Sequence, residues 1–128
     1  MENLIISGTE STPEINFNHS SGIFEIRGES YPENTAAFYA PVYEWLNNYF
    51  AQATGKSVTL NVEIIYFNSS SSKALMNLFD LLSEVGSKGN AISVNWIYDE
   101  DNESGLEYGE EFKEDVGKLE FNLVVKNS

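Results

Sequence analysis

The sequence predicts an α/β domain with a mixed sheet, and three observations carry that prediction. The segment "SVTLNVEIIYFN" alternates Val58, Leu60, Val62 and Ile64 before becoming apolar throughout at Ile65 to Phe67, as a central strand does. Amphipathic helical segments on either side of it alternate with further short strand patterns. The first 27 residues hold short strand-like runs separated by turn residues. Strands alternating with helices imply a largely parallel sheet covered by helices, with an N-terminal hairpin adding an antiparallel part.

The elements follow in order. "LIIS" and "EINF" read as short strands, and "GIFEIRG" sets Phe24 and Ile26 between Ile23, Glu25 and Arg27 in a half-buried alternation. "NHSSG" between the last two is a turn, so a hairpin is expected. Ser30, followed three residues later by Glu33, makes a capping box with Pro32 tolerated in the first turn, and a helix is expected to start there. Its face holds Phe38, Val42, Trp45, Leu46 and Tyr49, widened by Tyr39, Tyr43 and Phe50. Pro41 frees the carbonyl of Ala37 and clashes with it, which predicts a kink or restart over 37–41. After the central strand, Leu75, Leu78, Phe79, Leu82 and Val85 fall at helical spacing, and "GSKGN" ends that helix. "AISVNWIY" is a strand, "DEDNESGLEYGEEFKEDV" an acidic loop plus helix, and "KLEFNLVV" the last strand. The order is βββαβαβαβ over one domain, residues 1–128, without internal repeats or a linker.

Charge narrows the function. Seven Lys and Arg against 20 Asp and Glu give a formal net charge of -13, the opposite of what phosphate-backbone binding needs. Nucleic acid and insertion into a membrane are therefore not expected. The apolar run Leu4 to Ile6 is too short for a signal sequence, and no stretch approaches the ~20 apolar residues that span a bilayer. A cytoplasmic location is expected. No cysteine is present, so disulfides and thiolate chemistry are absent, and the one histidine, His19, sits among turn residues.

Several motifs resemble chemistry without its context. "GKS" at 55–57 lacks the upstream glycine of a phosphate-binding loop, since Phe50 stands there, and it precedes a strand instead of a helix. Ser70 and Lys73 form an S-x-x-K pair, yet none of the companion motifs of penicillin-recognising enzymes follows. Asp99, Asp101, Glu103 and Glu110 stand at calcium-loop offsets, but Ser104 takes the obligatory glycine position. No Ser-His-Asp pattern supports a triad. Neither a catalytic residue nor a metal or cofactor site is expected.

The run "FNSSSSKALM" remains. With Asn68 as N-cap, its side chain accepts from a free backbone N–H, and the four serines open the helix. At about 100° per residue, Ser71 and Ser72 turn with Leu75 and Leu78, whereas Ser69 and Ser70 turn with Lys73 and Asn77 towards solvent. A phosphate on Ser69 would sit at the positive end of the helix dipole, with Lys73 one turn away as a counter-charge.

The blocks "GTESTPEI", "GESYPENTAAFYAPVYEWL", "NVEIIYFNSSSSKALMNLFDLL" and "WIYDEDNESGLEYGEEFKED" together resemble the SiaC family of bacterial regulatory phosphoproteins, whose fold is similar to STAS domains, the anti-sigma factor antagonists. The resemblance spans nearly the whole chain. It implies a STAS-like fold, a phosphoacceptor directly after the asparagine, hence Ser69, and partner contacts at Asn68, Ser70 and Lys73. Pro41 and Ser72 depart from the family pattern. The resemblance further implies partner switching: a dedicated serine kinase, a PP2C-type phosphatase and a downstream effector, which can be a diguanylate cyclase linked to cyclic-di-GMP. The chain would be substrate and messenger, not an enzyme. The alternative is a small-molecule-binding sensor whose first-helix aromatics line a pocket; an enzyme would need a base beside Ser69 or Ser70, for which Lys73 is the local candidate.

Overall fold

The computed structural model describes residues 1–52 and 54–127. Its elements are β1 (Leu4–Ile6), β2 (Glu14–Phe17), β3 (Ile23–Ser30), α1 (Thr35–Ala51), β4 (Ser57–Phe67), α2 (Ser69–Gly86), β5 (Ala91–Asp99), α3 (Glu103–Asp115) and β6 (Glu120–Lys126). This is the expected order. The six strands form one sheet in chain order, antiparallel from β1 to β3 and parallel from β3 to β6.

Parallel neighbours joined in chain order by right-handed crossovers must carry their helices on the same side. The register shows that side. Phe24, Leu60, Val94 and Phe121 are aligned neighbours across β3 to β6, and all are buried. Phe24 stacks edge-on against Trp45 and Tyr49 of α1, Phe121 against Phe79 of α2, and Trp96, one pleat further along the same face, against Phe112 of α3. The helices therefore cover one face only. The other face carries a polar row, Asn16, Glu25, Asn61, Asn95 and Asn122, in which Asn122 Nδ2 donates to Asn95 Oδ1 at 3.1 Å and Asn95 Nδ2 to Asn61 Oδ1 at 2.9 Å. The expectation of a sheet covered by helices holds for half of it.

Three local expectations are corrected. Ser30 does not cap a helix: it is the last residue of β3, aligned with Phe67, and the cap of α1 is Asn34, whose Oδ1 accepts from Ala37 N at 3.0 Å. Pro32 explains the shift, because the residue before a proline is driven out of the helical region. Nor does Pro41 restart α1, which runs unbroken from Thr35 to Ala51. Pro41 and Ala37 are both exposed, so the freed carbonyl faces water. Finally, Ile65 and Tyr66 are not buried; they are 71% and 54% exposed. The cause is a β-bulge. Gly28 aligns with Ile64 but Glu29 with Tyr66, which leaves Ile65 unmatched. The extra residue reverses the alternation, and Phe67 enters the core where Tyr66 would have been.

α3 lies on Trp96 because its sequence makes room. A Cβ on Gly109 would meet Trp96 Cδ1 at 2.6 Å and Leu123 Cδ2 at 2.8 Å, and the Trp96 indole N–H donates to the Gly105 carbonyl at 2.8 Å.

α2 packs through Leu75, Leu78, Phe79 and Leu82, all buried as the periodicity predicts. Leu78→Ala is therefore expected to lower unfolding free energy by about 2–5 kcal/mol, whereas Ile65→Ala, at an exposed position, is expected to change it by no more than about 0.5 kcal/mol. Gly109→Ala should destabilise by about 1–3 kcal/mol through overpacking against Trp96. Urea titration of the three variants checks these values.

Candidate functional site

The site is built where β3 and β4 end together. Asn68 N donates to the Ser30 carbonyl at 3.1 Å, fastening the residue before α2 to the last residue of β3. Asn68 then turns the chain into α2: its Oδ1 accepts from Ser71 N at 2.9 Å, and its carbonyl accepts the first helical bond from Ser72 N at 2.9 Å. This is the expected N-cap.

The four serines divide differently from their helical projection. Ser71 is fully buried, and Ser69 and Ser70 are exposed, as expected. Ser72 is only half-buried. Together with Ser69 it lines a surface hollow of about 380 Å³ between Asn68, Phe67 and the rings of Tyr66 and Tyr108. Ser70 lines a different feature, an open groove of about 630 Å³ between α1 and α2 that also takes in Lys73, Tyr39 and Tyr43. Lys73 thus shares its groove with Ser70, and no charged side chain lines the hollow at Ser69. The counter-charge expected for a phosphate on Ser69 is not provided on that side. The helix N-terminus is.

The hollow joins two exposed rings, Tyr66 and Tyr108, to the polar groups of Asn68, Ser69 and Ser72. Tyr31 meets Tyr66 edge-on at 5.7 Å, and Tyr108 leans on buried Phe67 at 4.7 Å. Ile65, also exposed, borders a separate hollow with Glu63, Ile97 and Asp99. Sequence reading missed these residues, because the bulge that exposes Ile65 and Tyr66 has no signature in β4. Tyr108 lay in the acidic segment, where poor periodicity hid the helix face.

The aromatic face of α1 is core. Tyr39, Val42, Leu46 and Tyr49 are buried, and at its edge Tyr39 and Tyr43 also border the open groove against α2. The Tyr39 hydroxyl lies 2.7 Å from Ser30 Oγ, which donates to Ser71 Oγ at 2.8 Å. Burial pushes the Tyr39 phenol up, and the bond to Ser30 pulls it back in part. Tyr43 donates to the Ala74 carbonyl at 2.7 Å, and burial, with a smaller effect from Tyr39, pushes its phenol up to about 12.

Among the described residues no three His, Asp or Glu side chains gather closely enough to hold a metal ion, and no helix is long and apolar enough to cross a membrane. The calcium-loop offsets fall apart: Glu103 and Glu110 lie within α3, whose cap is Asn102.

Residues 6–126 match the model of the SiaC family of regulatory phosphoproteins. The chain belongs to the SiaC family. It is 38% identical over 115 residues to an uncharacterized protein of Pseudomonas aeruginosa strain UCBPP-PA14, covering 90% of each chain. SiaC of Pseudomonas aeruginosa has the same fold, with a TM-score of 0.86 at 34% identity over all of both chains. A chain in the crystal structure of the diguanylate cyclase SiaD with its activator SiaC, also from Pseudomonas aeruginosa, matches equally well: TM-score 0.86, 34% identity, 98% of this chain and 99% of that one. The fold and the regulatory class of this chain are those of the family.

Two outcomes follow from the geometry. Asn68→Ala should cost about 1 kcal/mol of stability through loss of the cap, measured by thermal unfolding. An unfolded tyrosine loses its proton near pH 10, roughly two units below Tyr43 in the fold; across that window the folded state holds a proton the unfolded state has lost. The stability due to neutral Tyr43 is thus complete below about pH 10 and is lost as pH rises towards about 12. Denaturant midpoints taken across this range should fall less steeply in Tyr43→Phe.

Proposed function

We propose that this chain is the messenger of a partner-switching system: a serine kinase phosphorylates Ser69, a PP2C-type phosphatase removes the phosphate, and the unmodified form binds and regulates a diguanylate cyclase. The observation that carries the reading is the placing of Ser69. It is exposed, it is the first residue of an 18-residue helix with a formed N-cap, and it opens into a hollow walled by exposed Tyr66 and Tyr108.

A phosphate carries about -1.5 to -2 charges and three acceptor oxygens. At the helix N-terminus the free N–H groups stabilise it, so the modified protein stays folded. The same charge stands between the exposed rings of Tyr66 and Tyr108, on a surface that a partner must desolvate. Burying it without a cation from the partner costs several kcal/mol, enough to abolish binding. The effector contact is therefore made by Tyr66 and Tyr108 around Ser69, with Asn68 holding the turn. Ser70 and Lys73, in the groove beside it, are left for a second partner such as the kinase.

The family description supports the phosphoprotein part of this reading. The cyclase is supported by the Pseudomonas aeruginosa SiaC, which activates the diguanylate cyclase SiaD. Catalysis by the chain itself is not part of the proposal. A serine nucleophile needs an adjacent base, and Lys73, the local candidate, is exposed to solvent. A switch written by an ATP-dependent kinase works in the cytoplasm, as one domain spanning 1–128.

Incubation with the cognate kinase and ATP, followed by mass mapping, tests the assignment. Phosphate is expected on Ser69, retained in Ser70→Ala and absent in Ser69→Ala; phosphate on Ser70, or undiminished labelling of Ser69→Ala, contradicts it. In calorimetric titration with the cyclase, Ser69→Ala should bind as the unmodified protein does, the phosphorylated protein about 100-fold or more weakly, and Tyr66→Ala at least about tenfold more weakly.

A further inference from the structure

We infer that the buried hydroxyl chain Tyr39–Ser30–Ser71 is a positioning device that holds the Ser69 hydroxyl in the pose a kinase accepts; this inference rests on the reading of Ser69 as the phosphoacceptor. Ser30 and Ser71 are both completely buried. They come from elements 41 residues apart and meet at 2.8 Å, with Ser30 Oγ donating to Ser71 Oγ. That bond uses the single proton of Ser30, so at the 2.7 Å contact Tyr39 OH must be the donor. The chain therefore has one direction, from α1 through β3 into α2. Nothing in the packing of α2 calls for a hydroxyl at 71, where alanine would serve as it does at buried Ala74. A buried hydroxyl is costly unless paired, and here every one is paired.

What these bonds fix is the first turn of α2. Ser30 grips it twice, with its carbonyl on Asn68 N and its hydroxyl on Ser71 Oγ. Asn68 in turn holds Ser71 N. Ser69 lies between the two gripped residues, so its direction into the hollow is set from both sides. Helix N-termini ordinarily fray, and an acceptor on a fraying turn would spend much of its time out of the attacking geometry. Ser30, Ser71 and Tyr39 touch neither ATP nor the phosphoryl group: they act through Ser69.

The test compares phosphorylation kinetics with stability. Ser71→Ala alone leaves the Ser30 donor unpaired in the core and lowers the melting temperature. Replacing all three, in Tyr39→Phe/Ser30→Ala/Ser71→Ala, removes every donor and acceptor of the hydroxyl chain together and should restore much of the stability. The inference expects kcat for Ser69 phosphorylation by the purified kinase to stay at least about tenfold below wild type in the triple variant, with KM little changed, because misplacement acts on the reacting geometry. A triple variant phosphorylated at the wild-type rate overturns the positioning role while leaving Ser69 as acceptor. Wild type with no phosphate on Ser69 overturns the acceptor reading and this inference with it. If the triple variant does not fold, Tyr39→Phe decides: it keeps the ring and removes only the first donor. Reduced kcat at an unchanged melting temperature supports the inference, and wild-type kcat overturns it.

Discussion

One unmatched residue sets the geometry of the whole site. Up to Ile64, β4 buries its even-numbered side chains against the helices; after the bulge at Ile65 it buries Phe67 instead. Had the alternation continued, Tyr66 would have entered the core and Phe67 faced outwards. Three consequences depend on the shift. Phe67 anchors the rings of Trp96, Phe112 and Tyr108. Tyr66 and Ile65 are left exposed as a pair, which a regular strand cannot do. Asn68 arrives beside Ser30 with its N–H aimed at that carbonyl, so α2 begins there and Ser69 is its first residue. Bulges in parallel pairs are rare, and they gather next to functional sites because they re-aim side chains.

The handedness of the fold explains why the site lies at this end of the sheet. Crossovers of one hand place α1, α2 and α3 on a single face, and the N-termini of α1 and α2 both rise from the ends of the strands that precede them. The start of α2 is flanked by α1 on one side and by Tyr108 of α3 on the other. Neighbouring serines therefore face different neighbours: Ser70 the groove with Lys73, Ser69 the aromatic hollow, Ser71 the interior. A run that looks redundant in the sequence spans three separate environments, with Ser72 sharing the hollow of Ser69.

Much of this was legible from residue patterns. Apolar period gave the strands and the first two helices in their order, the acidic segment was read as loop plus helix without it, and α2 runs Ser69–Gly86 where the heptad-like spacing of Leu75, Leu78 and Leu82 placed it. The N-cap at Asn68 was readable because capping is local chemistry. Most of the misreadings depended on an interaction across the chain. Ser30-x-x-Glu33 is a sound capping box by local rule, but pairing with β4 and the constraint imposed by Pro32 keep Ser30 in the strand. The exposure of Ile65 and Tyr66 depends on the register with β3, which neither strand spells out alone. The acidic segment carries Gly105 and Gly109 inside its helix because the close seat of Trp96 requires them, a need that only the fold shows. The pairing of Ser71 with Ser30 has no mark in either segment; only the fold brings them together.

In this reading the first turn of α2 is a platform on which one added phosphate changes the surface and leaves the fold alone. Backbone amide spectra of the isotopically labelled protein, recorded before and after stoichiometric phosphorylation, address this directly. The account predicts large shifts at Ser69 to Ser72 and at Tyr66 and Tyr108, with the hydrogen-exchange protection of core amides such as Leu75, Leu78 and Val94 unchanged. Loss of protection along α2, or shifts spread through the strands, would contradict it and make the switch a change of fold instead of a change of surface.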